Sequence, residues 1–110
     1  MIVLRGYIDE KGNKPFASWL EALDPTAAAK VTIVLARMEQ GNFSKTKGVG
    51  AGVYEYKIDF GPGYRVYFGR DGDRLVILIG GGTKKRQQND ILAAQACWID
   101  YKRRKKQESK

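Results

Sequence analysis

The feature that most constrains this chain is a pair of alternating segments near its middle, joined by Gly61-Pro62-Gly63. Before the junction, Val53, Glu55, Lys57 and Asp59 fall on one side of an extended backbone, with Tyr54, Tyr56, Ile58 and Phe60 on the other. After it, Tyr64, Val66 and Phe68 alternate with Arg65 and Tyr67. Two runs of period two around a glycine-proline turn predict a β-hairpin with an aromatic and aliphatic core face and a polar outer face.

The flanking segments read as helices and further strands. Residues 1–8 alternate weakly and end at Asp9, Gly12 and Asn13, which predicts a short strand and a turn. Pro15 opens a helix in which Phe16, Trp19, Leu20 and Leu23 recur at helical spacing, so that one face packs inward. Asp24 is the natural N-cap of a second helix, Pro25 its first residue and Gly41 its C-terminal stop. The polar, basic, glycine-rich stretch 42–52 reads as a loop. Beyond the hairpin, Asp71, Gly72 and Asp73 turn the chain into the apolar run 75–79, expected of a central strand covered on both faces and ended by the glycines at 80–82. A last helical pattern passes through Ile91, Leu92, Ala94 and Trp98 and dissolves into Lys102, Arg103, Arg104, Lys105 and Lys106. The order is β-α-α-β-β-β-α, an α+β arrangement. At 110 residues the chain fits one domain, placed at residues 1–101 and followed by a basic tail at 102–110.

Composition narrows the function. Lysine and arginine number 20 against 12 acidic residues, a formal charge of +8, which implies an anionic partner. No apolar run approaches the roughly 20 residues of a membrane span, and neither an amphipathic anchor nor a signal peptide is visible. Nucleic acid is therefore a better partner than a membrane, and the expected location is cytoplasmic. The chain contains no histidine, so any acid or base work falls to Asp, Glu, Lys or Tyr. Cys97 is the single cysteine, which rules out an intramolecular disulfide and a multi-cysteine metal site, and it reads as a small core residue. Neither glycine cluster precedes a helix with phosphate-loop spacing, so nucleotide binding is disfavoured and no cofactor is expected. Trp19 and Trp98, both on apolar helical faces, read as core anchors.

The outer hairpin face carries Glu55, Lys57, Arg65 and Tyr67, and the segment 83–90 leaves the sheet beside it. Together they predict one patch of Lys57, Arg65, Lys84, Lys85, Arg86, Gln87 and Asp90 with Tyr67 among them. Such a patch suits bent single-stranded RNA: cations hold phosphates, an aromatic ring stacks a base and amides read base edges. An ordinary solvated sheet face has equal standing on spacing alone. Metal-free RNA cleavage needs an activated 2′-hydroxyl, a stabilised phosphorane and a protonated 5′-oxygen. Arg65 and the Lys84, Lys85, Arg86 group can supply the charge stabilisation. Lys57 or Lys84, crowded by cations, can act as base or acid, with Glu55 and Asp90 as rivals for the base.

The stretches Gly52-Val53-Tyr54-Glu55-Tyr56-Lys57-Ile58, Gly61-Pro62-Gly63-Tyr64-Arg65-Val66-Tyr67-Phe68, Gly81-Gly82-Thr83-Lys84-Lys85 and Gln87-Gln88-Asn89-Asp90-Ile91 resemble the HigB-like, phage-type killer proteins of the RelE/ParE superfamily. Phe16-Ala17-Ser18-Trp19-Leu20 and Gly41-Asn42 fit the same pattern, so the resemblance covers nearly everything between Pro15 and Trp98. It implies a compact antiparallel sheet flanked by helices, co-production with a small antitoxin and ribosome-dependent mRNA cleavage. By the same resemblance Arg65 contacts the scissile phosphate, Lys57 occupies a usually basic strand position, and Lys84 and Lys85 match a basic pair after the last strand. The region of Asp90 is where better-known relatives place a tyrosine or histidine. This sequence has neither there, which leaves the general base open; Tyr101 lies about three helical turns further on, too far to substitute.

The expected function is that of a type II toxin-antitoxin toxin: a metal-independent endoribonuclease acting on translated mRNA. Arg65, Lys57, Lys84, Lys85 and Asp90 are its catalytic candidates, and Glu55, Tyr67, Arg86 and Gln87 its RNA contacts. Expected partners are a small helix-turn-helix antitoxin, the ribosome and mRNA. Two alternatives share the fold: a ParE-like inhibitor of DNA gyrase, and a noncatalytic module binding RNA or a partner.

Overall fold

The computed structural model describes residues 1–108; the last two residues of the expected basic tail lie outside the described residues. The elements follow in the order β1 (Val3–Gly6), α1 (Pro15–Glu21), α2 (Pro25–Glu39), β2 (Thr46–Gly48), β3 (Val53–Ile58), β4 (Tyr64–Asp71), β5 (Leu75–Thr83), a 3-10 turn at Lys84–Arg86, and α3 (Gln87–Glu108). The hairpin forms in the predicted register, with Tyr56 opposite Val66 and Ile58 opposite Tyr64. Asp24 caps α2 as its residue type predicts, its carboxylate accepting the Ala27 N–H at 2.9 Å. Gly41 then leaves the helix at φ +84°, in the left-handed region that favours glycine.

Two expectations about the sheet need correction. The segment 42–52 contains β2, which pairs antiparallel with β3 and extends the sheet. The sheet is also mixed rather than antiparallel: its order is β1-β5-β4-β3-β2, and β1 runs parallel to β5. Between β1 and β5 the chain passes through two helices and the meander, long enough for the crossover that parallel pairing requires. No helix among the described residues is long and apolar enough to cross a membrane.

Both sides of the sheet are covered. On one, Phe16, Ala27, Val31, Val34 and Met38 from α1 and α2 pack against Tyr56, Ile58, Val66, Phe68, Val76 and Leu78. On the other, Ala94 and Trp98 of α3 pack against Val53, Tyr67, Ile77 and Ile79. The predicted central strand and the core roles of Trp98 and Cys97 follow from this second layer. The expectation of a solvated outer hairpin face does not survive it: Glu55 is 1% exposed, Arg65 5% and Tyr67 1%. Nor does α3 dissolve at Lys102. It continues to Glu108, held by Tyr101 and Lys105 on Asp71 and by Arg103 on Glu10.

The glycines at 80–82 lie within β5 instead of ending it, and their use is close approach. A Cβ on Gly81 would come within 2.3 Å of the Trp19 ring, and one on Gly82 within 1.9 Å of the Asp90 carboxylate. Gly81→Ala is therefore expected to destabilise the fold by about 1–3 kcal/mol through overpacking. Thermal unfolding of the purified variant measures this, and an unchanged melting temperature would refute it.

Candidate active site between the sheet and the last helix

Strand register assembles the site. β3 sets Glu55 opposite Tyr67 and Lys57 opposite Arg65, while β4 sets Arg65 opposite Gly82 and Tyr67 opposite Gly80. Because β5 offers glycine at these positions, no side chain there fills the space beneath α3, and Asp90 descends onto Gly82.

At the centre Glu55 Oε1 accepts a hydrogen bond from Gln87 Nε2 at 2.6 Å, and Arg65 Nε lies 3.3 Å from the same oxygen. Lys47 Nζ approaches Glu55 Oε2 at 3.7 Å from the exposed side. Arg65 Nη1 donates to the Gly63 carbonyl at 2.9 Å, and the Lys84 backbone N–H donates to that same oxygen at 2.9 Å. One turn carbonyl thus fixes the guanidinium and the start of the basic 3-10 turn relative to each other. Arg65 Nε is buried without a hydrogen-bond partner, so the guanidinium, with its five donors, keeps capacity for an anion.

Beside the ion pair, the Tyr67 hydroxyl is also buried without a hydrogen-bond partner. Burial, followed by the nearby carboxylates of Glu55 and Asp90, pushes its pKa up. Burial likewise raises the Asp90 carboxyl above the usual aspartate range, with Arg86 acting in the opposite direction. Asp90 and Tyr67 together border a cavity of about 180 Å³, whose other walls include Pro15, Gly80 and Cys97.

The expected patch is therefore divided. Arg65, Glu55, Gln87, Tyr67 and Asp90 come together, but beneath α3 rather than on an open face. Lys84, Lys85 and Arg86 form an exposed turn at its rim. Lys57 stands apart, exposed and paired with Asp59 at 3.5 Å. The Tyr101 hydroxyl is engaged by Asp71 at 2.6 Å, consistent with its exclusion as a substitute base. Lys47 is the residue that sequence reasoning missed: β2 had no period of its own, and the only available signal was a lysine in a basic loop.

Carboxylates fasten the far half of α3. Asp100 accepts from Tyr7 at 2.5 Å, from Arg103 at 2.7 Å and from Arg104 at 2.9 Å. The Tyr7 hydrogen bond, then those of the arginines, hold Asp100 below the usual aspartate range; Lys105 and Tyr101 do the same for Asp71. A depressed carboxylate pKa stabilises the fold above its unfolded value of about 3.9, and that contribution is lost as pH falls through the folded value. Hydrogen exchange in residues 98–108 should therefore accelerate below about pH 4 ahead of the central strands. Simultaneous acid loosening of strands and helix would count against this clasp.

Residues 18–95 match the family model described as phage derived protein Gp49-like (DUF891). A Haemophilus influenzae protein described as uncharacterized is 42% identical over 89 residues, which cover 80% of this chain and 90% of that protein. The matched region runs from α1 into α3 and includes Glu55, Arg65, Tyr67, the basic turn and Asp90. The chain belongs to the Gp49-like family of phage-derived proteins, a toxin-like family related to addiction modules.

Proposed function

We propose that this chain is the toxin of a type II toxin-antitoxin pair: a RelE-like, HigB-like, metal-independent endoribonuclease that inhibits translation by cutting mRNA on the ribosome. The observation that carries the reading is the shared Gly63 carbonyl, which couples the Arg65 guanidinium to the Lys84–Arg86 turn. A phosphodiester at this rim meets fixed positive charge where a phosphorane develops negative charge, the arrangement that yields the largest catalytic effects. Arg65 and Lys84 stabilise the phosphorane, and Lys85 and Arg86 hold flanking phosphates. Asp90, whose burial favours a proton on its carboxyl, is the acid-base group. Glu55 and Gln87 position Arg65 rather than meeting RNA openly, a role supported by their mutual hydrogen bond and the burial of Glu55. Tyr67 supports the floor of the site, and Lys57 contributes at a distance.

The partner is a small helix-turn-helix antitoxin that covers the basic turn or displaces α3, and the proposed setting is the cytoplasm. The domain proper comprises residues 1–101, with the basic segment from 102 adding affinity for ribosomal RNA. Controlled expression in bacteria, with growth recorded and mRNA 5′ ends mapped, tests the whole reading. Arrest with new ends inside translated messages is the expected outcome. Arrest without new ends points to gyrase inhibition, and absence of arrest to a noncatalytic module.

A further inference from the structure

On the opposite side of the molecule from α3, a groove of about 190 Å³ opens between α2 and β3. Four cations line it: Lys30 and Arg37 from α2, Lys45 just before β2, and Lys57 from β3. The one carboxylate lining it is Asp59, which pairs with Lys57 at 3.5 Å. Among the described residues Lys30, Arg37 and Lys45 form no ion pair with a carboxylate. Lys30 instead lies 5.1 Å from the centre of the Phe60 ring, at one end of the groove.

We propose that this groove is a second RNA-binding surface, holding the phosphate backbone of a single strand that continues from the Arg65 site. Lys30 and Arg37, seven residues apart, stand on the same side of α2, two turns and about 10 Å from one another along its axis. They make a line of charge suited to a repeating polyanion and not to a lone ion. Continuity with the site comes through Lys57. It is the direct cross-strand neighbour of Arg65, about 5 Å away between backbones, and it also lines the groove. A strand with one phosphate at Arg65 thus reaches the groove past Lys57. The same continuity favours RNA over an acidic polypeptide, and to that extent the inference rests on the proposed nuclease reading. Phe60 offers no free face for a base, since Tyr64 stacks on it at 6.5 Å and Lys30 caps it. Binding here is accordingly electrostatic and sequence-tolerant.

The test uses the full chain and a labelled 2′-O-methyl oligoribonucleotide, which cannot be cut through its 2′-oxygen, with fluorescence anisotropy read over a salt series. Each phosphate contact on a single strand contributes about 0.7 to the slope of log affinity against log salt, so Lys30→Gln, Arg37→Gln and Lys45→Gln combined should reduce the slope by about 2. Arg5→Gln, Lys11→Gln and Arg74→Gln combined remove the same charge from exposed positions outside the groove, the site and the basic tail, and should leave the slope close to wild type. Equal losses in both triple variants, no loss in the groove variant, or no RNA binding by wild type would overturn the proposal. So would tighter binding of charge-matched polyglutamate than of RNA if that preference vanished in the groove variant, because the groove would then be built for an acidic polypeptide. Cleavage is not read in this assay. Loss of the nuclease reading therefore shows itself separately, as intact messages from a protein that retains the slope difference.

Discussion

Arg65→Ala should abolish the growth arrest and message cleavage proposed for controlled expression, and it should also weaken the fold. The two effects have separate causes. Removing the guanidinium takes away the fixed positive charge at the proposed phosphate site; loss of one such preorganised group lowers turnover by about 10²–10³-fold. It also leaves the Glu55 carboxylate, 1% exposed, with Gln87 as its close hydrogen-bond partner and the exposed Lys47 at 3.7 Å. Breaking a buried pair from one side costs about 3–5 kcal/mol, a large part of the roughly 5–15 kcal/mol that holds a domain folded. Arg65→Lys separates the causes. A lysine still places a charge near Glu55, but as a point charge without the planar fork that reaches Gly63 and a phosphate together. It should remain folded by thermal melting while losing about 10²-fold or more in cleavage. A folded Arg65→Lys protein with wild-type cleavage would remove Arg65 from the chemistry and leave it as a structural ion pair.

That pair also explains why the site was only half legible in the sequence. The element order could be read because local signals fix it: Pro15, the Asp24-Pro25 cap and the alternation through the hairpin each report on neighbouring residues. The parallel pairing of β1 with β5 depends on partners more than 70 positions apart, and no local pattern encodes it. The outer hairpin face was misread because Glu55, Arg65 and Tyr67 are polar, and polar residues on alternate positions signal solvent. Here Glu55 takes Arg65 and Gln87, and α3 closes over them and over Tyr67. Mutual satisfaction across 10 and 32 positions has no period. The glycines at 80–82 were ambiguous for a related reason, since absence of a side chain serves a turn and a close approach equally well until Trp19 and Asp90 are seen against them.

Asp90→Asn should lower cleavage by about 10²–10⁴-fold while leaving melting at pH 7 unchanged or higher. Its carboxyl is raised above the usual range, burial being the largest cause, so the folded state disfavours the charged form. The sign follows from linkage. Below the unfolded pKa both states are protonated and burial of a charge costs nothing; above the folded pKa the full cost is present, and at pH 7 asparagine removes it. Asparagine also matches the carboxyl in size, which matters because the side chain rests directly on Gly82. A purely structural Asp90 would behave differently, giving a parallel fall in stability and activity or no change in either. A proton-transfer role predicts instead a stable protein with lost turnover, and loss of the acid limb of the pH-rate profile that Asp90 sets in the wild type. Full activity in Asp90→Asn would move the acid-base role to Glu55, the carboxylate paired with Arg65.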